Sequence, residues 1–204
     1  MAMRPIERGD SRRLLELVER NRGRLRLWFS WLDRTRSESD TTAFIEGATA
    51  AYEKGEQHHC VILDGGVVVG LIGFHTLDRT NRCGSIYYWI DEKAEGRGFV
   101  TAACREMIEI GFCRLALNRV EIRACSDNVR SCAIAERLGF KRVGTIEECQ
   151  YLYDHYVDNV VYSMLKSEWQ KKKTPNKAPE PTTMAVTSRA PSSTRRASHG
   201  RDSS

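Results

Sequence analysis

The chain opens on a helical period. Leu14, Leu17, Val18 and Leu25 recur at the spacing of one helix face, and Asp10 and Ser11 stand before them as N-caps. Residues 25–33 are aromatic-rich, and a charged, polar loop follows to Asp40. Ser39 or Asp40 then caps a second helix with Phe44, Ile45, Ala48, Ala51 and Tyr52 on one side and Gly55 as its stop. At His58 the period changes to two. Residues 59–63 and 67–75 are β-branched runs joined by Asp64-Gly65-Gly66, the punctuation of a hairpin. A third strand is predicted over 84–90, a helix over 100–111, a strand over 119–125 and a short helix over 128–138 closed by Gly139. Two last strands occupy 140–145 and 156–165. Hairpin-linked strands followed by a strand-helix-strand-helix unit predict an α+β domain, one mixed sheet with helices on its faces.

Composition changes the picture at the far end. Beyond Trp169 comes the run Lys171, Lys172, Lys173 and then Pro, Ser, Thr, Ala and Arg with almost no large apolar residue. Such a segment cannot bury enough surface to order itself. The 204 residues therefore divide into a domain over 4–168 and a disordered, basic Pro/Ser/Thr-rich tail over 170–204. The formal charge is +5, and residues 166–204 carry nine Lys/Arg against three Asp/Glu, leaving 23 against 24 before them. The domain gives no electrostatic footprint for nucleic acid or an anionic membrane, so a nucleic-acid partner is expected only through the tail.

Seven cysteines, Cys60, Cys83, Cys104, Cys113, Cys125, Cys132 and Cys149, are scattered without a C-x-x-C pair, and most are expected to be small buried hydrophobes. No metal is expected, and adjacent His58 and His59 would point to opposite faces of a strand. The first ten residues hold no apolar signal core, and no run approaches the ~18 apolar residues of a membrane span. The reading is a cytoplasmic protein.

The stretch with chemical content is Trp89-Ile90-Asp91-Glu92-Lys93-Ala94-Glu95-Gly96-Arg97-Gly98-Phe99-Val100-Thr101, a strand running through a glycine turn into an amphipathic helix. Glycines permit the sharp turn, and the first N–H groups of the helix are left without partners, so a pyrophosphate can accept them. A third glycine at dinucleotide-fold spacing and a Gly-Lys-Ser/Thr are both missing, so neither familiar nucleotide fingerprint applies. Farther on, Asn128 and Ser131 open a second helix that ends Leu138-Gly139-Phe140.

With these elements in this order, residues 4–168 resemble the GNAT acetyltransferase superfamily, and within it the RimJ/RimL-like branch of ribosomal-protein N-terminal acetyltransferases. Residues 25–33 and the segment from Tyr156 to Tyr162 extend the likeness. The resemblance implies a GNAT-like mixed, mostly antiparallel central sheet with helices on both faces, and acetyl-coenzyme A as co-substrate. It places the pyrophosphate on Glu95, Gly96, Arg97, Gly98, Phe99, Val100 and Thr101. Tyr88 and Ile90 lie on a strand that splays to hold the pantetheine arm and polarise the thioester carbonyl. The resemblance further implies that Asn128 seats the coenzyme and Ser131 returns a proton to the thiolate, where the residues alone read equally as a helix cap and a first-turn residue. It also implies that Trp28, Trp31 and Asp33 wall the acceptor pocket, with core packing the other reading of the tryptophans.

The chain departs from the family pattern at four places: Lys93 opens the loop, Ser85 replaces a carboxylate in the central strand, Tyr87 stands where glycine is frequent, and Gln150 replaces another acidic position. Glu148 is the base expected in their stead, with Glu147 and His75 as other candidates. The acceptor is expected to be an amine, most of all a protein N-terminal α-amine attacked directly in a ternary complex. A polyamine or antibiotic acceptor, and a non-catalytic acyl-coenzyme A sensor, are the alternatives. Edge strands of such a sheet can pair with a second copy to give a homodimer.

Overall fold

A computed structural model describes residues 1–173, and the expected behaviour of the tail beyond them lies outside the described residues. A short strand β1 (Ala2–Pro5) precedes two helices, α1 (Ser11–Leu25) and α2 (Glu38–Lys54). Three antiparallel strands follow: β2 (His58–Asp64), β3 (Val67–Asp78) and β4 (Cys83–Ile90). Then come α3 (Phe99–Glu109), β5 (Arg119–Cys125), α4 (Val129–Arg137), the hairpin β6 (Lys141–Leu152) and β7 (His155–Leu165), and α5 (Lys166–Lys173). The sheet order is β1-β2-β3-β4-β5-β7-β6, and every pairing is antiparallel except β4 with β5. This is the mixed, mostly antiparallel sheet expected, with helices on both faces.

Strand alternation divides the core. Along β2, Cys60 and Ile62 face a cluster that takes in Phe99, Ala103, Met107 and Ala135 of α3 and α4, while Val61 faces Leu14, Leu17 and Ile45 of α1 and α2. Likewise Ile86 and Ile90 of β4 face the first set and Trp89 the second. The half-buried pair Tyr87 and Tyr88 is split the same way, Tyr87 toward α1 and α2 and Tyr88 toward α3 and α4.

Several boundaries differ from the sequence reading for local reasons. Helix α2 is capped by Ser37, whose hydroxyl accepts from the Asp40 N–H while the Asp40 carboxylate accepts from the Ser37 N–H. Its end is at Gly55 as expected, in the left-handed conformation. Strand β1, too short to show a period, exists by pairing with β2. Residues 170–173, assigned to the tail by composition, instead complete α5. Trp169 packs on Phe112 with ring centroids 5.3 Å apart, Lys172 Nζ donates to the Gly139 carbonyl at 2.7 Å, and Lys173 pairs with Glu109 at 2.8 Å. Of the cysteines, Cys60, Cys104 and Cys125 are buried, Cys83 and Cys132 are half-buried, and Cys113 and Cys149 are exposed, so burial describes fewer of them than expected.

Candidate active site

The site begins where two strands part. Strands β4 and β5 pair from Cys83 with Arg119 to Ile86 with Ile122 and no farther. Each stays tied on its other side, β4 to β3 as far as Ile90 and β5 to β7 as far as Cys125. The main chain around Tyr87 to Trp89 thus faces a gap rather than a neighbouring strand. The gap opens into a cavity of about 1850 Å³ lined by residues of both faces. Arg24 of α1 reaches into it, donating to the Ile90 carbonyl at the strand's end.

At one end of the cavity lies the glycine turn. Gly96 and Gly98 have φ of 72° and 78°, a region in which only glycine is unstrained. Gly98 is the N-cap of α3, and the first intrahelical bond runs from the Ala102 N–H to the Gly98 carbonyl at 3.0 Å. The N–H groups of Phe99, Val100 and Thr101 therefore have no intrahelical acceptor. A Cβ built on Gly96 or Gly98 meets no atom within 4 Å, so the concavity in front of the helix is open. The geometry and donor chemistry fit a pyrophosphate. Glu95, Gly96, Gly98, Phe99, Val100 and Thr101 line the cavity. Arg97 does not; its guanidinium pairs with Asp64 at 2.5 Å and lies 4.5 Å over the Phe99 ring, bracing the turn from outside. Glu95 is held between Arg24 and Arg130, the latter at 2.6 Å.

Across the gap stands the start of α4. Asn128 caps it, its side-chain oxygen accepting from the Ser131 N–H at 3.1 Å, and both residues line the cavity. The Ser131 hydroxyl lies 2.8 Å from the Tyr88 hydroxyl, which also reaches the Ser131 carbonyl at 3.3 Å. Burial pushes the Tyr88 phenol well above its ordinary value, so it remains protonated. Cys132, next in line, packs half-buried against the core, its thiol toward the Cys125 carbonyl at 3.8 Å.

The other end is walled by the segment after α1. Trp28, Phe29 and Trp31 line it, as do Phe44, Gln57, His59, His75 and Tyr87. Asp33 does not reach the cavity; its carboxylate pairs with Arg26, with Arg36 at 4.0 Å. Gln150 holds this wall, its amide donating to the Trp28 carbonyl at 3.1 Å. Glu148 lies outside the cavity on an irregular, exposed stretch of β6, with φ of 47° and its N–H bound to Asp158 at 2.8 Å. Glu147 is also exposed. Ser85, in the place of the family's strand carboxylate, is buried with no partner for its hydroxyl.

Sequence reasoning missed the clamp by Gln150, the reach of Arg24, and the network of Gln57, His59 and Tyr87. Local spacing relates only Gln57 and His59, two residues apart; Tyr87 joins them through sheet register, Gly73 pairing with both His59 and Tyr87, and Arg24 and Gln150 arrive from α1 and the last hairpin. Among the described residues no group of three metal-ligating side chains converges, and no helix is long and apolar enough to cross a membrane.

A parted sheet with a glycine turn and a helix N-terminus at its open end fits the class of protein that holds a phosphorylated ligand there. The GNAT acetyltransferase domain model matches residues 1–141. The chain is 37% identical over 175 residues to the putative ribosomal N-acetyltransferase YdaF of Bacillus subtilis (strain 168), covering 85% of this chain and 95% of that protein. A crystal structure of a probable acetyltransferase superposes with a TM-score of 0.78 at 36% identity over 82% of this chain and 93% of that one. RimL, a ribosomal alpha-N-protein acetyltransferase solved in complex with coenzyme A, shares the fold with a TM-score of 0.79 at 23% identity over 81% and 94%. The chain belongs to the GNAT acetyltransferase family, and its reaction is acetyl transfer from acetyl-coenzyme A.

Proposed function

We propose that this chain acetylates the α-amine of a protein N-terminus, by direct attack of the amine on the thioester while both substrates are bound. The observation that carries the reading is the placement of two different ends on one cavity: the cradle of Gly96 to Thr101 at one, and an aromatic, carboxylate-poor wall at the other. When bound, acetyl-coenzyme A supplies an activated acyl carbon. The first-turn N–H groups of α3 hold its pyrophosphate, and the unpaired main chain of β4 from Tyr88 to Ile90 orients the pantetheine arm and polarises the carbonyl. Ser131 gives its proton to the departing thiolate, the proton that the amine sheds on forming the amide goes to solvent, solvent restores the Ser131 hydroxyl, and Tyr88 holds that hydroxyl in place at 2.8 Å.

The wall of the acceptor end favours a peptide over a polyamine or aminoglycoside. Among the described residues the carboxylates lining the cavity are Glu95 and Asp127, both in the loops before α3 and α4, and Glu95 is committed to two arginines. A polycation would find no counter-charge where its amines would sit. Gln57, Asn159 and Gln150 make this end polar without adding negative charge. Basicity points the same way. At neutral pH roughly a tenth of an α-amine of pKa ~8 is free base, against well under a thousandth of a lysine of pKa ~10.4. A site without a strong base can use the first. The relatives' names, which speak of ribosomal substrates, agree with this acceptor class.

The test is thiol release from acetyl-coenzyme A by the full chain against N-terminal peptides, the same peptides with blocked N-termini, polyamines and aminoglycosides. Turnover confined to free N-terminal peptides is expected. Turnover confined to polyamines or aminoglycosides would replace the acceptor, and tight coenzyme binding without turnover on any amine would leave an acyl-coenzyme A sensor.

A further inference from the structure

Behind the acceptor wall, three side chains form a hydrogen-bonded line whose proton positions the geometry fixes. Gln57 Nε2 donates to the His75 carbonyl at 3.2 Å, so Gln57 Oε1 is the atom turned to His59, 2.9 Å from its Nε2. An amide oxygen only accepts, so His59 Nε2 carries the ring's hydrogen. In the neutral ring Nδ1 is then an acceptor, and the Tyr87 hydroxyl, 2.6 Å away, donates to it. The phenol's proton is committed to His59, so the hydrogen-bonding capacity left to Tyr87, a residue that lines the cavity, is the oxygen's second lone pair.

The line is packed at its centre and half-exposed at Gln57. His59 is 6% exposed. The Tyr87 ring is held edge-on by His59 at 5.5 Å and by His75 at 5.8 Å, and Phe44 stacks edge-on against His59 at 5.6 Å. The titratable groups directly beside it are His58 and His75 at His59 and Cys60 at Tyr87, and none is a carboxylate. One remove farther stand Arg114 beside His58, Arg123 beside His75 and Glu106 beside Cys60. Burial holds His59 down to about 4, so the ring is neutral across the physiological range.

We propose that Tyr87 is the group that receives the acceptor amine, its oxygen accepting an N–H of the amine, and that this end of the cavity takes the amine as its free base. The inference rests on the acetyl-transfer reading above. An ammonium ion would meet no carboxylate on this wall, whereas a neutral amine needs one acceptor and keeps its lone pair for the thioester carbon. The specificity that follows is for amines of low basicity, α-amines ahead of lysine side chains. It belongs to this chain because Tyr87 stands where a glycine is frequent in the family that it resembles.

The experiment compares the full chain with Tyr87→Phe and Gln57→Glu, using an N-terminal peptide acceptor between pH 6 and 9.5 and measuring coenzyme A affinity separately. For the parent, kcat/KM should rise with unit slope through the pKa of the peptide's own amine and level off above it. Tyr87→Phe, which keeps the ring and loses the acceptor, should cost about tenfold or more in kcat/KM with coenzyme A affinity within about twofold. In Gln57→Glu the carboxylate favours His59 as the cation, which turns Nδ1 into a donor and reverses the bond to Tyr87. Its profile should gain a second, acidic limb that the parent lacks. A Tyr87→Phe enzyme as active as the parent, or a Gln57→Glu profile identical to the parent's, overturns the role of Tyr87 while acetyl transfer stands. A parent that turns over no amine overturns both.

Discussion

The side-chain amide of Gln150 donates to the main-chain carbonyl of Trp28 at 3.1 Å, joining the last hairpin to the segment after α1 across 122 residues. The orientation of that amide is fixed, because Asn159 Nδ2 donates to Gln150 Oε1 at 3.1 Å. One turn of the hairpin away, the Tyr153 hydroxyl donates to the Phe29 carbonyl at 2.7 Å and the Arg26 guanidinium lies 3.6 Å over the Tyr153 ring. The cavity wall formed by Trp28 and Phe29 is thus tied down at two successive carbonyls. A carboxylate at position 150, as the family pattern has it, could not donate to Trp28.

Gln150→Glu is accordingly expected to place a carboxylate against that carbonyl and release the wall. The loss of one hydrogen bond of about 1 kcal/mol should raise KM for the acceptor several-fold while the coenzyme dissociation constant stays unchanged. Initial rates at saturating coenzyme, with separate equilibrium titration of coenzyme A, check this.

The cradle makes a different prediction. A methyl group on Gly98 would meet no protein atom, so Gly98→Ala should cost only the strain of a left-handed residue, about 1–2 kcal/mol of stability. Its Cβ would stand in the open space before the helix, and coenzyme A binding should fall by about tenfold or more, the loss of roughly one charged hydrogen bond. Calorimetry on the folded variant separates the two effects; unchanged affinity would move the pyrophosphate elsewhere.

Ser131→Ala tests the acid end. Removal of a general acid is expected to lower kcat by about 10²–10⁴-fold with coenzyme affinity little altered, since in the proposed reading the coenzyme is held at the cradle. Tyr88→Phe should cost less, because it loosens Ser131 without removing its proton. A thioester with a more acidic thiol should narrow the Ser131→Ala defect, which a purely structural role for Ser131 would not do.

Acid stability should carry the signature of the buried histidines. Unfolded, His59 takes up a proton near 6.5; folded, it resists until about 4. Between those values the unfolded chain binds more protons, so stability is full above about pH 6.5 and falls as the pH drops toward 4. The displacement amounts to about 3 kcal/mol, and the lowered values of His58 and His75 act in the same direction. Thermal unfolding between pH 4 and 7.5 should show a steeper decline for the parent than for His59→Asn.

Much of this was legible along the chain because it is local. The glycine turn into α3 could be read because Gly96 and Gly98 sit in positive-φ positions that other residues strain to adopt, and Asn128 is a cap by its type and place. The second half of β6, beyond the strand read over 140–145, was not legible. From Ile146 to Cys149 its residues are exposed, so no face of it had to be apolar, and it continues as a strand because β7 pairs with it across an irregularity between Ile146 and Gln150.

The sequence by itself determined the family, the order of helices and strands, and the cradle, since each depends on residues within one or two turns of each other. Tertiary structure decided what stands opposite the cradle. Sheet register alone brings His59 and Tyr87 to opposite sides of Gly73, and the hairpin alone brings Gln150 to Trp28. It also carried Glu148 and Asp33 out of the cavity, Glu148 on an exposed stretch of β6 and Asp33 in its pairing with Arg26. Contacts between residues far apart in the chain follow from the closing of the sheet, and no local pattern encodes them.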